Sequence, residues 1–204
     1  MNESADVRPA GEVLGQLLEL HYKFIIRAYE LLRSVQRLIP GEELAAVWPS
    51  PIRNGGESKF TGQDRVQSYM GTAFVSRDLR KGKIEIPADG LPLLVFQLRW
   101  LERSPEEPVI WAVKALAKAT AHPSYGEHYY SELFRQLARP SGLDRSGPFE
   151  LPEWEAKSTA KEAPNRKILL SGLAIEVPFA DLKTEADVAE KLFGPAMKLW
   201  RSGD

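Results

Sequence analysis

The chain contains no cysteine, which excludes disulfide bonds, thiolate catalysis and every zinc site that uses a cysteine ligand. It also lacks an apolar run of about 18 residues, so no membrane-spanning helix is expected. Only three histidines, His21, His122 and His128, are available for metal binding or proton transfer. The formal net charge of -1 gives no overall attraction to nucleic acid, so any such binding must depend on a local cluster of cations.

Sequence motifs for enzyme chemistry are also missing. The glycines around Gly55 and Gly62 lack the Gly-Lys-Ser/Thr ending of a phosphate loop, and no Gly-x-Ser-x-Gly nucleophile motif occurs. The polar, acidic first residues differ from a secretory signal, and this favours a cytoplasmic location. We therefore predict no catalytic residue, no metal site and no cofactor.

The strongest positive pattern is a helical repeat in the stretch between Gly15 and Pro40, which holds no other glycine or proline. Alternating steps of three and four residues keep one row on one side of a helix: Leu14, Leu17, His21, Phe24, Ala28, Leu31, Val35 and Leu38. The pattern predicts a helix over residues 13–39, preceded by a flexible tail over 1–12. Since His21 lies on the core row, we expect it to be buried and hydrogen-bonded, or to lie at a packing interface, rather than to be catalytic.

A second, smaller apolar group lies on the opposite side of this predicted helix. It consists of Tyr22, Ile26 and Tyr29. A helix with apolar groups on two sides has more apolar surface than one core contact needs. These three residues are therefore our predicted partner-binding residues, for a protein partner or a homo-oligomer.

The remaining chain predicts a helix-rich α+β fold in a single domain over residues 13–204. Leu44–Trp48 is read as a further helical turn and 49–60 as a loop. Four regions follow: a hairpin region over 61–87, a helical middle over 91–139, a connector over 140–167, and a C-terminal strand–helix unit over 168–201.

Two of these regions contain more specific signals. Ser104-Pro-Glu-Glu107 resembles a helix start and predicts a helix to about Ala119, whereas 91–101 fits either a strand or a helix. A further helix is expected over 127–138. Thr184-Glu-Ala-Asp187 predicts the start of the terminal helix, which is expected to kink or restart at Gly194-Pro195.

A cluster of cations suggests the alternative function, which is nucleic-acid binding. Residues 63–70 predict a short helix, and 72–86 predict a β-hairpin, which together follow the order of a winged-helix segment over 61–86. Cations at the hairpin turn would meet phosphates, while two helix side chains would reach base edges. The candidate residues are Arg65, Gln67, Arg77, Arg80, Lys81 and Lys83.

Three further features are weaker indications of function. His122 and His128 are spaced unlike any known metal motif, so we predict no metal there. Glu155 and Lys157 resemble the acid-x-Lys pair of metal-dependent nucleases, a third functional hypothesis, but they lie in the predicted connector. Trp111 falls on the polar side of its predicted helix, where it is either an exposed anchor for a partner or a core residue.

Together, the patterns favour a non-catalytic accessory or assembly subunit that associates through its N-terminal helix.

Overall fold

An antiparallel β-sheet with helices packed on one of its faces forms the described part of the chain. The computed structural model describes residues 10–41, 43–47, 53–55, 69–81, 89–99, 107–118, 147–150 and 169–202. A long N-terminal helix, the sheet and a C-terminal strand–helix unit confirm the predicted α+β class.

The described residues contribute seven strands to the sheet. They are β1 (Leu44–Ala46), β2 (Arg53–Gly55), β3 (Tyr69–Ser76), β4 (Leu91–Arg99), β5 (Val109–Ala117), β6 (Gly147–Glu150) and β7 (Leu169–Pro178). Their spatial order is β1-β3-β4-β5-β7-β6, and β2 also pairs with β3. All pairings are antiparallel, so β3, β4 and β5 form a meander at the centre.

Side chains are buried on both faces of the central strands. On β4, Phe96 faces the helices, while Val95 and Gln97 face the other way, and all three are fully buried. A strand buried on both faces needs apolar residues at consecutive positions, so the usual alternation of polar and apolar residues disappears. This explains why the sequence pattern of 91–101 was ambiguous; the structure assigns Leu91–Arg99 to a strand.

The predicted helix from 105 to 119 is wrong over its described part, because Val109–Ala117 is strand β5. This segment is rich in β-branched and aromatic residues, including Ile110, Trp111 and Val113, which favour strands. It pairs along its whole length with β4 on one side and with β7 on the other. Strand pairing therefore overrides the helical spacing of its apolar residues.

Helix α1 spans Ala10–Leu38 and confirms the predicted long helix. It begins inside the segment predicted as a tail, whereas residues 1–9 lie outside the described part. The second half of α1 buries a row of apolar side chains against the sheet: Ala28, Leu31, Leu32 and Val35. Near the C-terminal end of the helix, Gln36 donates a hydrogen bond to the hydroxyl of Thr72 on β3.

The C-terminal unit follows β7 with a 3-10 turn (Phe179–Asp181), helix α3 (Glu185–Asp187), a π-helical turn (Val188–Phe193) and helix α4 (Gly194–Arg201). Thr184 and Asp187 form a capping box in which each accepts a hydrogen bond from the backbone N–H of the other. The helix continues without a break from Glu185 to Arg201, and at Gly194-Pro195, where a kink or restart was predicted, its π-helical hydrogen bonding changes to α-helical. Leu192, Ala196 and Met197 join the core beneath α1.

Several local predictions need correction. Leu44–Ala46 forms a strand rather than a helical turn, because it pairs with β3. Strand β2 lies within the loop predicted over 49–60, and β6 lies within the predicted connector. The helix predicted over 127–138 lies outside the described residues.

The first prediction concerns the capping box, where hydrogen bonds from Lys191 and Thr184 hold the pKa of Asp187 far below its usual value. The unfolded carboxyl titrates near about 3.9. A pKa lowered by folding stabilises the protein above the unfolded pKa, and this contribution is lost as the pH falls toward the folded pKa. We expect Asp187→Asn to lower the urea midpoint at pH 7, with the deficit shrinking below about pH 4.

The matched control is Glu12→Gln, which removes a carboxylate from the first turn of α1. Urea unfolding of both variants and the wild type at pH 7, 4 and 3 makes the comparison. A deficit for Asp187→Asn that stays constant from pH 7 to pH 3 would contradict the proposed role of this carboxylate.

Candidate functional site

The first half of α1 is exposed to solvent along its whole length. Every residue from 11 to 23 is exposed, whereas burial begins at Phe24 and is complete at Ala28. We call residues 11–23 the overhang. At about 1.5 Å per residue, it is roughly 20 Å long.

Three contacts fix α1 to the C-terminal unit, and two of them lie just after the overhang ends. The rings of Phe24 and Phe179 lie edge to face with centroids 5.2 Å apart. Arg27 donates hydrogen bonds to the carbonyl oxygens of Leu182 (2.8 Å) and Lys183 (2.6 Å). Further along the helix, Arg37 pairs with Glu185 at 3.3 Å. The helix is therefore held firmly from Phe24 onward, and this anchoring sets the direction in which the overhang projects.

Eight large apolar side chains of α1 are between 40% and 65% exposed. They form two rows on different sides of the helix. The inner row continues the buried row beyond the body and consists of Val13, Leu14, Leu17 and Leu20. The outer row consists of Leu18, Tyr22, Ile26 and Tyr29. The last three lie on the opposite side of the helix, and Leu18 lies at the edge of the row nearest Leu14. Leu18 extends the outer row by one turn, because steps of three or four residues share one side of a helix.

The predicted partner-binding residues Tyr22, Ile26 and Tyr29 thus lie together on the exposed side of α1. Sequence reasoning assigned Leu14 and Leu17 of the inner row to the core, and it missed the exposed side chains of Val13, Leu18 and Leu20. His21 lies in the overhang and is exposed, so the burial expected for it is wrong, whereas a position at a packing interface stays a prediction.

The charged side chains of α1 interact along the helix. Lys23 pairs with Glu19 at 2.6 Å, and this hydrogen bond lowers the pKa of the Glu19 carboxyl from its ordinary value. The guanidinium of Arg33 lies 4.9 Å from the centre of the Tyr29 ring, a cation–π contact. The end of the outer row therefore presents an aromatic ring with a cation against it.

The predicted basic hairpin has a different local structure. Arg77–Arg80 form one helical turn, α2, and β3 pairs with β4 over residues 69–74 instead of turning into a hairpin there. Tyr69 and Met70, the end of the predicted 63–70 helix, belong to β3.

The candidate nucleic-acid residues are only partly described. Arg77 donates a hydrogen bond to the carbonyl oxygen of Gly41 and so joins α2 to the turn after α1. Arg80 and Lys81 are exposed. The described part of the chain does not include Arg65, Gln67 or Lys83, so the nucleic-acid hypothesis stays a prediction.

Trp111 is a core residue rather than an exposed anchor. It is 1% exposed on β5, facing away from the helices, and its indole N–H donates a 2.7 Å hydrogen bond to Glu176 on β7. Gln97 lies opposite Trp111 on β4 and is fully buried. These residues form a polar row across three strands in an otherwise apolar sheet face, where buried polar groups need hydrogen-bond partners.

An open groove of about 620 Å³ lies between the end of α1 and α4. It is lined by Leu38, Pro40, Phe193, Gly194, Met197, Lys198, Arg201 and Ser202. Arg201 at its rim is paired with Glu43 at 2.7 Å. None of these lining residues is a carboxylate or a histidine, so the groove offers no acid–base pair for catalysis.

Two further findings concern metals and membranes. Among the described residues, no group of three or more histidine or acidic side chains is placed to hold a metal ion. Within the same residues, no helix has the length and hydropathy required to cross a membrane. His122, His128, Glu155 and Lys157 fall outside the described part of the chain, so their predicted roles stay as predictions.

Comparisons with protein-family models, with curated proteins and with solved structures gave no match to this chain. Within the described residues, the exposed rows of α1 are the most extensive apolar surface, and a soluble monomer seldom presents a continuous surface of this kind.

The second prediction concerns the backbone of the overhang. A helix of about 13 residues without tertiary contacts is marginal in water, since most helical stability in proteins comes from packing. In the isolated chain at low concentration, we expect amides in 11–21 to exchange with solvent at least tenfold faster than those in 28–35. Hydrogen exchange with fragment mass analysis measures this difference, and equal protection in both segments would contradict the exposed position of the overhang.

The third prediction concerns the hydrogen bond between Trp111 and Glu176. Trp111→Phe removes the donor and leaves a half-buried carboxylate without it, so we expect a loss of about 1–3 kcal/mol in unfolding free energy. A double-mutant cycle with Glu176→Ala separates this bond from the lost ring volume. The coupling energy should exceed about 0.5 kcal/mol. Additive effects in urea unfolding would show that the bond contributes nothing.

Proposed function

We propose that this chain is a non-catalytic subunit that assembles with a protein partner through the exposed rows of α1. The observation that carries the proposal is the group of eight large apolar side chains, each at least 40% exposed, on one helix. Burying a fully exposed side chain of this size contributes about 1.5–3 kcal/mol. A partner that covers most of these side chains would gain a substantial driving force.

The anchoring of α1 supports the same proposal. The helix is held from Phe24 onward by a ring contact, by the two hydrogen bonds of Arg27 and by the buried row. A partner therefore meets a surface whose position is already fixed over its second half. Such preorganisation reduces the entropy that is lost on binding.

The exposed surface is suited to a protein more than to a lipid bilayer. The polar side of the overhang carries Glu12, Gln16 and Glu19, and its first cation is Lys23. Helices that lie on membranes usually carry several lysines or arginines on the polar side, because bilayer surfaces are anionic. The acidic overhang would be repelled by such a surface.

The fourth prediction tests this proposal with Ile26→Glu. The substitution places a carboxylate in the outer row at an exposed position, so the fold should be retained while desolvation of the charge opposes binding. We expect at least a tenfold loss of association. Sedimentation analysis of the purified chain gives the mass and affinity of any self-assembly. Affinity purification of the tagged chain from the cells that produce it shows whether a second protein co-purifies in a stoichiometric amount.

The matched control is Gln16→Glu, which adds the same charge to the polar side of the same helix. It should associate like the wild type. A wild-type chain that is monomeric at every concentration and brings down no stoichiometric companion would overturn the proposal. An equal loss of association in Gln16→Glu and Ile26→Glu would also contradict it, because the effect would then be one of charge alone.

A further inference from the structure

We propose that the outer row binds a second copy of this chain, with the two α1 helices antiparallel and Tyr22 at the crossing point. This inference rests on the proposed assembly function and adds the identity of the partner and the direction of pairing. Four properties of α1 carry it: accessibility, charge, side-chain size and the amount of exposed surface.

The outer row is accessible along its whole length. Ile26 and Tyr29 are exposed even where the other side of the helix is buried against the sheet, and Arg33 continues the row. The inner row differs, because from Phe24 onward the same side of the helix is buried against the sheet of its own chain. A second long helix can therefore run beside the outer row from Gly11 to Arg33. This distance is about 33 Å at 1.5 Å per residue.

The charge of α1 changes sign along the helix. Residues 10–22 contain Glu12 and Glu19 and no lysine or arginine, a formal charge of -2. Residues 23–38 contain four cations and one carboxylate, Glu30, but Arg27 and Arg37 contact the C-terminal unit of their own chain. Lys23 and Arg33 remain for the seam, so its second half has a formal charge of +1. Parallel pairing would place like charges together in both halves of the seam. Antiparallel pairing places each acidic half beside a basic half, and it also opposes the two helix dipoles.

The side-chain sizes fit a crossing at Tyr22. In this register Leu18 of one copy faces Ile26 of the other, and Gly15 faces Tyr29. Gly11 then faces Arg33, whose guanidinium lies on the Tyr29 ring. A Cβ atom added at either glycine would meet nothing within 4 Å, so the space beside both is open. The small residues at one end of the row thus accept the largest side chains from the other end.

The amount of surface fits a pair of identical helices. The aromatic side chains Tyr22 and Tyr29 alone each offer about 150–250 Å² when fully buried. Tyr22 is 65% and Tyr29 40% exposed, so with Leu18, Ile26 and the stem of Arg33 they supply the apolar centre of an interface. The polar side chains along the seam must supply the rest of the roughly 800 Å² per partner of a standard protein interface. Because both copies contribute the same patch, the interface is isologous and closes as a dimer.

The fifth prediction uses the absence of cysteine, which makes any introduced thiol unique. Leu18→Cys and Ile26→Cys are prepared separately, mixed in equal amounts and oxidised gently. In an antiparallel pair the two positions face each other at a distance that a disulfide can span. We expect mixed 18–26 disulfides to exceed 18–18 and 26–26 disulfides at least tenfold, as measured by peptide mass analysis.

The matched control is Leu17→Cys mixed with Ile26→Cys. Leu17 is 59% exposed and Leu18 is 61% exposed, but Leu17 lies on the inner row and outside the seam. This mixture should give only the background of random collisions. Sedimentation of the unmodified chain, which depends on no variant, should show a dimer at the same concentrations.

Three outcomes would overturn the inference. An excess of 18–18 disulfides would show parallel pairing, which leaves the assembly proposal intact and excludes the antiparallel register. A monomer with no disulfide above the Leu17 background would exclude self-pairing, and a companion lost in Ile26→Glu would then support assembly with a different protein. Binding of the monomer to vesicles of anionic phospholipid, abolished by Ile26→Glu, would assign the outer row to a membrane surface instead.

Discussion

The packing of α1 against the sheet is the contact on which the rest of the architecture depends. Ala28, Leu31, Leu32 and Val35 are fully or almost fully buried, and they share one core with the helix-facing residues of β3, β4 and β5. The C-terminal unit completes this core by inserting Leu192 and Ala196 beside α1. This packing stops at Phe24, while the helix continues for more than three further turns. The same helix is thus both the main support of the body and its most exposed apolar element.

The sequence predicted correctly those elements whose residue pattern is set by neighbouring residues along the chain. The long helix follows from an apolar row with helical spacing, and the terminal helix from the capping box of Thr184 and Asp187. Strand β5 was mistaken for a helix, because a strand buried on both faces has no alternation to distinguish it. What makes it a strand is pairing with β4 and β7, and these partners are distant in sequence.

Part of the candidate site was predictable and part was not. Tyr22, Ile26 and Tyr29 were identified because they lie opposite the predicted core row, and the structure exposes them. The exposure of Leu17 and His21 could not be read from spacing, since a row that faces the core and a row that extends beyond it look identical. The length of the predicted helix indicated that part of it would extend beyond the sheet. A helix of 29 residues is about 44 Å long, whereas strands of eight to ten residues span only about 26–34 Å.

We propose that the outer row of α1 is an interface that pairs with the same row of a second copy. Its most direct test is the urea midpoint of the unmodified chain, measured across a hundredfold range of protein concentration. An interface present only in the folded state stabilises that state by mass action, so the midpoint should rise with concentration. A midpoint that stays constant over the whole range, for a chain that sediments as a monomer, would contradict the account.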